Sequence, residues 1–582
     1  MSADISVPLL QNKPICASQL PYTFSSVDFS VQVFENDFMA LFPECFCILC
    51  VLVLIVYGVV ITTSSKHAYP IALSNIAGLS ILTLFYAIFL VYNSPFRNAV
   101  FLYHSFIIDD AGTLFKVLIC CGAIASLSIS LDSLKREGIS AFEYCICILL
   151  STCSMMFLVS AGDLILMYLG IELQSLCFYV LAAFKRDSEF STEAGLKYFL
   201  LGAFSSGILL FGCCLVYGFT GGVAFSELAA LYSCGDPSSI DVERASSGLF
   251  AEYAGQGISS LWLAPQVEVA GSAISAGQAP QELLQNSSFS MLAEQGSELG
   301  MLFICIGLLF KLSAVPFHMW APDVYVGSPT AVTAFFAIVN KASFILIFFR
   351  CIFTCFYDLN IEWQTFICCC AIASMLVGSF AGLAQQRIKR RLAWRAIAHA
   401  GYLLVGLCCD TLEGVQAGVI YLVIYMVVST SIFGVILAPI RRDGVREMEH
   451  IKYTSDLVYL GKSHPLLAAT LTISMFSLAG IPPLAGFYGK AYLFWAALNS
   501  SLYVLAVIGI LTSAVSAFYY IRIVKIMYFE AYTYKNAKPL GFARLSKESA
   551  LTLGICFIFN ICFILYPQPL YLAGLQVGLC FL

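Results

Sequence analysis

Charge is scarce in this sequence. Only 11% of its 582 residues are Asp, Glu, Lys or Arg, whereas soluble domains contain about 25% of these residues. Hydrophobic residues make up 60%, and no long polar segment with a regular apolar period is available to build a soluble domain. The composition therefore excludes an ordinary soluble enzyme and predicts a polytopic membrane protein.

Motifs for nucleotides, redox groups and metals are missing as well. The sequence has no G-x-G-x-x-G at a strand–helix turn and no P-loop G-x-x-x-x-G-K-[S/T]. Haem and iron–sulfur spacings are absent. The one C-x-x-C, from Cys47 to Cys50, has no His partner at zinc spacing. We therefore expect no cofactor and no metal in this chain, and we expect its 24 cysteines to pack as small hydrophobic residues.

The N-terminal region, residues 1–37, is predicted to be an extension ahead of the first apolar run. Its first 36 residues contain one basic residue, Lys13, and no arginine. That is neither an Arg-rich transit peptide nor a charged segment followed by an apolar one. We expect the first transmembrane span to act as its own insertion signal.

Apolar runs separated by polar turns predict an all-α protein with about fourteen transmembrane spans. Spans one to six fall within residues 38–220, spans seven to thirteen within 298–530, and the last span follows a loop within 531–582. The runs 464–498 and 549–580 exceed the length of one span, which predicts broken or tilted helices. The spans lie near residues 41–62, 70–92, 107–131, 141–160, 162–184, 195–219, 299–326, 329–356, 363–386, 392–411, 414–439, 464–498, 502–529 and 549–580.

Basic residues are concentrated in alternate loops, while the opposite loops hold little beyond Arg97 and Arg244. The positive-inside rule places the basic loops on the cytoplasmic side or its equivalent, the mitochondrial matrix. An even number of spans then puts both termini on the other, outer side. The basic loop residues are Lys66, Lys135, Arg136, Lys185, Arg186, Arg387, Lys389, Arg390, Arg391, Arg441, Arg442, Arg446, Lys452 and those of the 535–547 loop.

One outer loop, residues 221–297, differs from the others. It is rich in Ser, Ala, Gly and Gln, and it carries eight acids and one basic residue, Arg244. Such a composition without an apolar period predicts a flexible insertion. Docking of a neighbouring subunit on this insertion is a second interpretation.

Four charged residues lie inside long apolar runs: Glu172, Lys311, Lys341 and Lys490. A charge at bilayer depth costs several kcal/mol, so such residues usually have a partner or line a path for ions. Pro316 follows Lys311, and a Pro-Pro pair precedes Lys490, so spans seven and twelve should be broken. Because these spans are an odd number apart, they are inverted in the membrane, which is typical of transporters. Lysines snorkelling beside proline kinks are the alternative interpretation.

Further candidates surround these charges. Lys197 and Lys311 are the candidate partners of Glu172, either as a gate for protons or as a static ion pair. Lys341 is interpreted as a relay between Lys311 and Lys490, or as a lysine bonded to a helix carbonyl. His399 suits a relay because histidine titrates near neutral pH, although a hydrogen-bonded core histidine has the same pattern. Glu143, which opens span four, is a candidate contact to a neighbouring subunit.

Four runs, found in the right order, resemble one known family. They closely resemble subunit 2 of NADH:ubiquinone oxidoreductase, respiratory complex I, whose bacterial counterpart is the N subunit. The resemblance covers about residues 38–530 apart from the 221–297 insertion. The runs are DLILMYLGIELQSLCFYVLA (163–182), STEAGLKYFLLGAFSSGILLFGCCLVYGFTG (191–221), FKLSAVPFHMWAPDVY (310–325) and FSLAGIPPLAGFYGK (476–490).

The resemblance implies an antiporter-like membrane-arm subunit with two inverted five-helix repeats. Reduction of quinone elsewhere in the complex would move protons through this subunit. NADH, FMN, iron–sulfur clusters and ubiquinone would bind partner subunits, not this chain. With His399 added from its position, the expected proton relay consists of Glu172, Lys197, Lys311, His318, Lys341, His399 and Lys490.

The chain departs from the family pattern in three places. The 221–297 insertion and the N-terminal extension are longer than usual. After residues 388–390 the family reads approximately AYSSISHLGYL, whereas this chain reads AWRAIAHAGYL, which removes serines and introduces Arg395. The polar lining near His399 is therefore in question, and the sequence does not show whether Arg395 faces water or protein.

The prediction is a proton-translocating subunit of the enzyme NADH:ubiquinone reductase. We expect it in the mitochondrial inner membrane, with a bacterial plasma membrane as the alternative. Its partners would be other membrane-arm subunits, including neighbouring antiporter-like subunits, and the lipid bilayer, with no nucleic acid. Two other functions stay open: a subunit of a multisubunit cation/proton antiporter, and a structural membrane-arm subunit with fixed ion pairs.

Overall fold

The computed structural model of the chain describes residues 36–62, 69–137, 142–233, 287–441, 448–449, 451–458, 460–530, 541–542 and 545–581. Most of the predicted extension (1–37) and of the predicted insertion (221–297) lies outside these ranges. The flexibility and docking role predicted for the insertion therefore stay predictions.

Helices make up nearly all of the described structure. The first part of the chain contains α1 (Phe42–Thr62), α2 (Tyr69–Tyr92), α3 (Asp110–Arg136), α4 (Glu143–Val159), α5 (Leu164–Ala182), α6 (Glu189–Thr220) and the short α7 (Phe225–Ser233). The middle part contains α8 (Ser287–Leu312), α9 (Trp320–Gly327), α10 (Thr330–Ile338), α11 (Asn340–Arg350), α12 (Asn360–Leu383), α13 (Ile388–Cys408) and α14 (Leu412–Ile436). The last part contains α15 (Leu460–Ser463), α16 (Pro465–Ala479), α17 (Ala485–Asn499), α18 (Tyr503–Tyr528), α19 (Lys547–Cys562) and α20 (Gln568–Phe581).

Short strands occur only in loops within the described ranges. The antiparallel pair β1 (Ala99–Phe101) and β2 (Phe106–Ile108) precedes α3. A second sheet places β3 (Ile440–Arg441) between β4 (Met448–Glu449) and β5 (Gly541–Phe542). These strands tie loops together and contribute nothing to the membrane-spanning part.

Polar residues set where several helices begin. Asp109, Asp163 and Thr411 each accept a hydrogen bond from the backbone N–H three residues further on, at the start of α3, α5 and α14. Glycine ends two others: Gly221 after α6 and Gly480 after α16 adopt positive φ angles of 75° and 84°. The apolar runs therefore begin and end at residues whose chemistry satisfies free backbone groups.

Two breaks interrupt the apolar runs where proline predicted them. Helix α8 ends at Leu312 and α9 begins at Trp320, while α16 ends at Ala479 and α17 begins at Ala485. The Trp320 Nε1 donates to the Phe310 carbonyl at 2.9 Å, and the Gly486 N–H donates to the Ser477 Oγ at 3.0 Å. These bonds satisfy backbone groups that a continuous helix would have paired. Both predicted breaks are confirmed.

The centre of the molecule is formed by the spans that carry Lys341 and Tyr425. In an apolar stretch of 18 residues within Thr330–Cys355, which contains α10 and α11, 100% of the residues are buried, and in such a stretch of α14 94% are buried. By contrast, only 28% of the residues in such a stretch of the Phe42–Ile61 span are buried. Helix α11 begins after a break at Val339 and passes into a π-helical turn, Cys351–Cys355. The central span is thus segmented and surrounded by protein.

The structure confirms a mostly helical, multi-pass membrane protein. Eleven helical segments of the described chain are long and apolar enough to cross a membrane, and Glu143–Val159 and Pro465–Ala479 are shorter apolar helices. The count of fourteen spans and the inverted repeats stay predictions.

Candidate functional site

Lys311 lies in the last turn of α8, directly before the first break. The residue is 4% exposed, and its Nζ has no hydrogen-bond partner within the described ranges. Glu172 on α5 acts on this lysine electrostatically without a direct ion pair between them. One Glu172 oxygen accepts a hydrogen bond from the Ser175 Oγ at 3.3 Å, and the other has no partner in the described part. The two groups therefore form a separated acid–base pair.

Lys197 does not join this pair, which corrects the interpretation that it is a candidate partner of Glu172. Its Nζ lies 2.7 Å from Glu193 and 3.4 Å from Asp323, and its side chain is 45% exposed. Glu193 is one helical turn earlier on α6, so the two side chains share a face. Helix α9 brings Asp323 to the same place from across the first break. Lys197 is thus held at the surface of this chain by two acids.

His318 lies within the first break and contacts α13. Its ring lies 5.5 Å from the Trp394 ring, between centroids. Its Nδ1 is buried and has no hydrogen-bond partner in the described structure. The imidazole is therefore placed between the Lys311 region and the helix that carries Arg395 and His399.

Lys341 is buried at the start of α11. Its Nζ donates to the carbonyl of Ala396 on α13, and it lies 4.9 Å from the centroid of the Tyr425 ring on α14. The carbonyl bond that we considered as an alternative to a relay is thus present. It leaves further donors free, because an ammonium group has three N–H bonds.

His399 is buried on α13. Its Nδ1 shares a hydrogen bond with the Tyr421 hydroxyl, and its ring lies 4.9 Å from the Tyr425 ring. The Nε2 has no partner within the described ranges. One ring nitrogen is therefore held by Tyr421, and the other is left without a hydrogen-bond partner in the described structure.

Lys490 lies on α17, beyond the second break. Its Nζ donates to the Leu478 carbonyl at 2.7 Å and lies 5.4 Å from the centroid of the Tyr402 ring. That carbonyl belongs to the last turn of α16, where the break removes its helical partner. A small cavity is lined by both His399 and Lys490, together with Tyr421, Tyr425 and Ser477. The second break thus places a lysine and a histidine at one cavity.

Arg395 faces protein, which answers the question that the sequence left open. It is 1% exposed and lies one turn before His399 on α13. A guanidinium nitrogen donates to the Ser429 Oγ at 3.0 Å, and the Cζ lies 5.8 Å from the Tyr425 ring centroid. Arg395 stands where the family pattern has one serine, and Ala396 and Ala398 stand where it has two others, so a permanently charged group replaces one hydroxyl.

Sequence reasoning missed two buried ion pairs. Lys116 on α3 lies 2.6 Å from Glu44 on α1, and both side chains are almost fully buried. Arg350, at the end of α11, lies 2.8 Å from Asp109. The signal was available, because all four residues lie in or beside apolar runs. Glu143, in contrast, is exposed at the start of α4, and its predicted contact to a neighbour stays a prediction.

The structure therefore forms two groups of titratable residues. Glu172 and Lys311 lie at the first break, and Lys341, His399 and Lys490 lie around Tyr425 and the second break. No group of three His, Cys, Asp or Glu suited to a metal occurs among the described residues. The broken helices with buried, separated cations define an antiporter-like membrane subunit.

Comparison with known proteins identifies the family. The model described as NADH:quinone oxidoreductase/Mrp antiporter, transmembrane, matches residues 161–251 and 274–516. NADH-ubiquinone oxidoreductase chain 2 of Marchantia polymorpha is 45% identical over 550 residues, which cover 94% of this chain and 99% of the relative. NADH-quinone oxidoreductase subunit N of Parvibaculum lavamentivorans is 42% identical over 469 residues, 81% and 83% of the two chains. The chain belongs to this family of chain 2 and subunit N proteins.

Solved structures share the fold. A chain of respiratory complex I from Thermus thermophilus with bound aureothin has a TM-score of 0.65 at 24% identity, over 91% of this chain and 98% of that one. A chain of the Mrp complex from Dietzia sp. has a TM-score of 0.69 at 18% identity, over 94% and 97%. At these identities the likeness concerns the fold alone.

Proposed function

We propose that this chain is a proton-translocating membrane-arm subunit of NADH:ubiquinone oxidoreductase. The observation that carries the proposal is a series of buried lysines, Lys311, Lys341 and Lys490, none of which has a direct ion-pair partner in the described structure. The relatives at 45% and 42% identity indicate which complex the chain joins, because they are named as subunits of NADH-ubiquinone and NADH-quinone oxidoreductases.

The proposed proton transfer depends on the burial of the lysines. A lysine in an apolar environment holds its proton weakly unless a negative group approaches. Movement of the Glu172 carboxylate towards Lys311 would favour protonation of that lysine, and withdrawal of the carboxylate would favour release of the proton. Lys341 and Lys490 are bonded to backbone carbonyls, which can accept hydrogen bonds from both forms of the amine. The proposed relay is Glu172, Lys311, His318, Lys341, His399 and Lys490, with Lys197 at the surface end.

The architecture that we propose has fourteen spans and two inverted five-helix repeats. The two breaks, between α8 and α9 and between α16 and α17, support it, because each follows or precedes a relay lysine. The domain boundaries 1–37, 38–220, 221–297, 298–530 and 531–582 are part of the same proposal.

The redox cofactors that this chain is expected to lack are proposed to bind other subunits of the complex. As a subunit of the enzyme, the chain is proposed to contain no redox centre, while NADH, FMN, iron–sulfur clusters and ubiquinone bind partner subunits. Its partners are other membrane-arm subunits, and its location is the inner membrane as a multi-pass protein. Plant and liverwort relatives support the mitochondrial membrane, and subunit N relatives support a bacterial membrane as the alternative.

Native purification with subunit identification tests the assembly. We expect the chain to be purified with a large NADH:quinone reductase. Purification with a small complex that lacks redox subunits, together with sodium-dependent proton exchange, would support the antiporter alternative instead.

NADH-driven proton uptake in proteoliposomes tests the relay with Lys311→Met. We expect the variant complex to assemble and to lose proton uptake, because the amine at the first break is gone. Normal uptake would mean that Lys311 is structural. Loss of assembly with normal uptake per assembled complex would support the structural alternative.

A further inference from the structure

The cluster around Tyr425 contains three basic groups. The Tyr425 ring lies 4.9 Å from the Lys341 Nζ, 5.8 Å from the Arg395 Cζ and 4.9 Å from the His399 ring. Lys341 reaches the ring from α11, and the other two reach it from α13. Within the described part of the chain, no carboxylate forms an ion pair with any of the three. Positive charge here is therefore not neutralised by a direct partner.

Arg395 differs from its two neighbours because a guanidinium does not lose its proton in proteins. It is 1% exposed and donates to the Ser429 Oγ, while its Nε and Nη1 have no hydrogen-bond partner in the described ranges. Lys341 bonds to the carbonyl of Ala396, the next residue along α13. Protonation of Lys341 or His399 would therefore place a second positive charge beside the same aromatic ring as the permanent charge of Arg395, and the two charges would repel each other.

Among the described helices around the cluster, no carboxylate is paired with it. Asp323 on α9 bonds to Lys197, and Glu413 at the start of α14 accepts a hydrogen bond from Asn499. Residues 374–383 of α12, which lie alongside α13, contain no titratable side chain, and neither do α10 and α16. The other titratable or charged groups that face the cluster are Tyr325 on α9, Tyr402 on α13, Tyr421 on α14, Lys490 on α17, and Tyr519 and Tyr520 on α18.

We propose that Arg395 is a positioning residue for proton transfer, whose fixed charge keeps Lys341 and His399 uncharged at rest. Arg395 thereby sets the pH at which this segment takes up a proton, and it favours onward transfer to Lys490. This inference rests on the proposed proton relay. It gives a function to the substitution by which this chain departs from its family pattern.

The test is the pH dependence of NADH-driven proton uptake by the assembled complex with Arg395→Gln or Arg395→Lys. Glutamine removes the charge, so we expect the alkaline loss of uptake to move upward by about one to two pH units. Lysine can lose its proton at this buried site, whereas arginine does not, so the Arg395→Lys profile should move in the same direction as that of Arg395→Gln, and by no more than it. Arg395→Ser is the second neutral variant if glutamine prevents assembly.

Arg391→Gln is the matched control. Arg391 lies one turn earlier on α13, is also buried and donates to the Gln385 carbonyl rather than contacting the Tyr425 ring. We expect a much smaller shift from this variant than from Arg395→Gln.

Two results would overturn the inference. They are a neutral Arg395 variant with the wild-type profile, and an equal shift in Arg391→Gln. If Lys311→Met is inactive in the same preparation, the proton relay itself would stand. If Lys311→Met instead pumps normally, the proposed function would be wrong.

Discussion

The first half of the molecule, defined here as the helices up to the first break together with the end of α11 that carries Arg350, handles buried charge differently from the half around Tyr425. In the first half, acids and bases occur together: Glu44 with Lys116, Asp109 with Arg350, and Glu172 near Lys311. Around Tyr425, Lys341, Arg395 and Lys490 are held by carbonyls, hydroxyls and aromatic faces, with no ion-pair partner among the described residues.

This difference predicts which substitutions affect the stability of the complex and which affect proton transfer. Removing one member of a close ion pair leaves the other charge buried and unpaired, which is strongly destabilising. Removing a lysine that is bonded only to a carbonyl leaves no stranded charge. We therefore expect first-half substitutions at the ion pairs to affect assembly, and substitutions around Tyr425 to affect activity.

The largest expected effect is that of Lys116→Met. It leaves the buried Glu44 carboxylate without its partner, which should cost about 3–5 kcal/mol. We expect the assembled complex to be strongly depleted on native gels.

The double variant Glu44→Gln/Lys116→Met is the control, because it removes both charges and should restore much of the assembly. A single variant that assembles at the wild-type level would remove the distinction between the two halves.

Lys490→Met should give the next largest effect, on activity rather than assembly. The variant leaves only a carbonyl without its donor, so the complex should form. Proton uptake per complex should fall by roughly 100-fold, as for loss of a group that transfers protons. Normal uptake with poor assembly would show that Lys490 behaves like the first-half ion pairs.

Gly486→Ala tests the second break through packing alone. An added Cβ would lie 1.9 Å from the Ser477 carbonyl oxygen, so backbone at the break must shift. Overpacking of this kind costs about 1–3 kcal/mol, and we expect lower turnover because Lys490 moves with α17.

Gly554→Ala on α19 is its matched control, since nothing lies within 4 Å of the added Cβ. Equal losses of turnover in both variants would mean that the glycine effect is unrelated to the break.

The smallest expected effect on stability is that of Lys197→Met. Its partners Glu193 and Asp323 are more than half exposed in this chain, so solvent stabilises the remaining charges. We expect a thermal unfolding temperature close to that of the wild-type complex and a smaller loss of uptake than in Lys490→Met. A loss as large as that of Lys490→Met would place Lys197 in the central relay.

Sequence reasoning predicted the breaks because proline acts locally. Pro316 and the Pro482–Pro483 pair disturb the backbone of their own span, whatever surrounds it. The apolar runs likewise predicted most helices within a few residues. The long run 549–580 forms two helices, α19 and α20, as its length indicated.

The partners of the charges were harder to predict because they depend on packing between distant segments. Asp323 reaches Lys197 only through the way in which α9 packs beside α6, and Lys341 meets Ala396 across two helices. The Glu44–Lys116 pair was missed because the pairing of these two charges is set by the arrangement of α1 and α3, which neither span shows by itself.

The most direct measurement is the number of protons taken up per NADH oxidised by proteoliposomes that contain the Lys341→Met complex. Lys341 is the most central lysine and lies between the two breaks. The relay predicts an assembled complex whose ratio falls well below that of the wild type, while the ion pair Asp109–Arg350 on the same span stays intact. A wild-type ratio in the assembled Lys341→Met complex would contradict the relay.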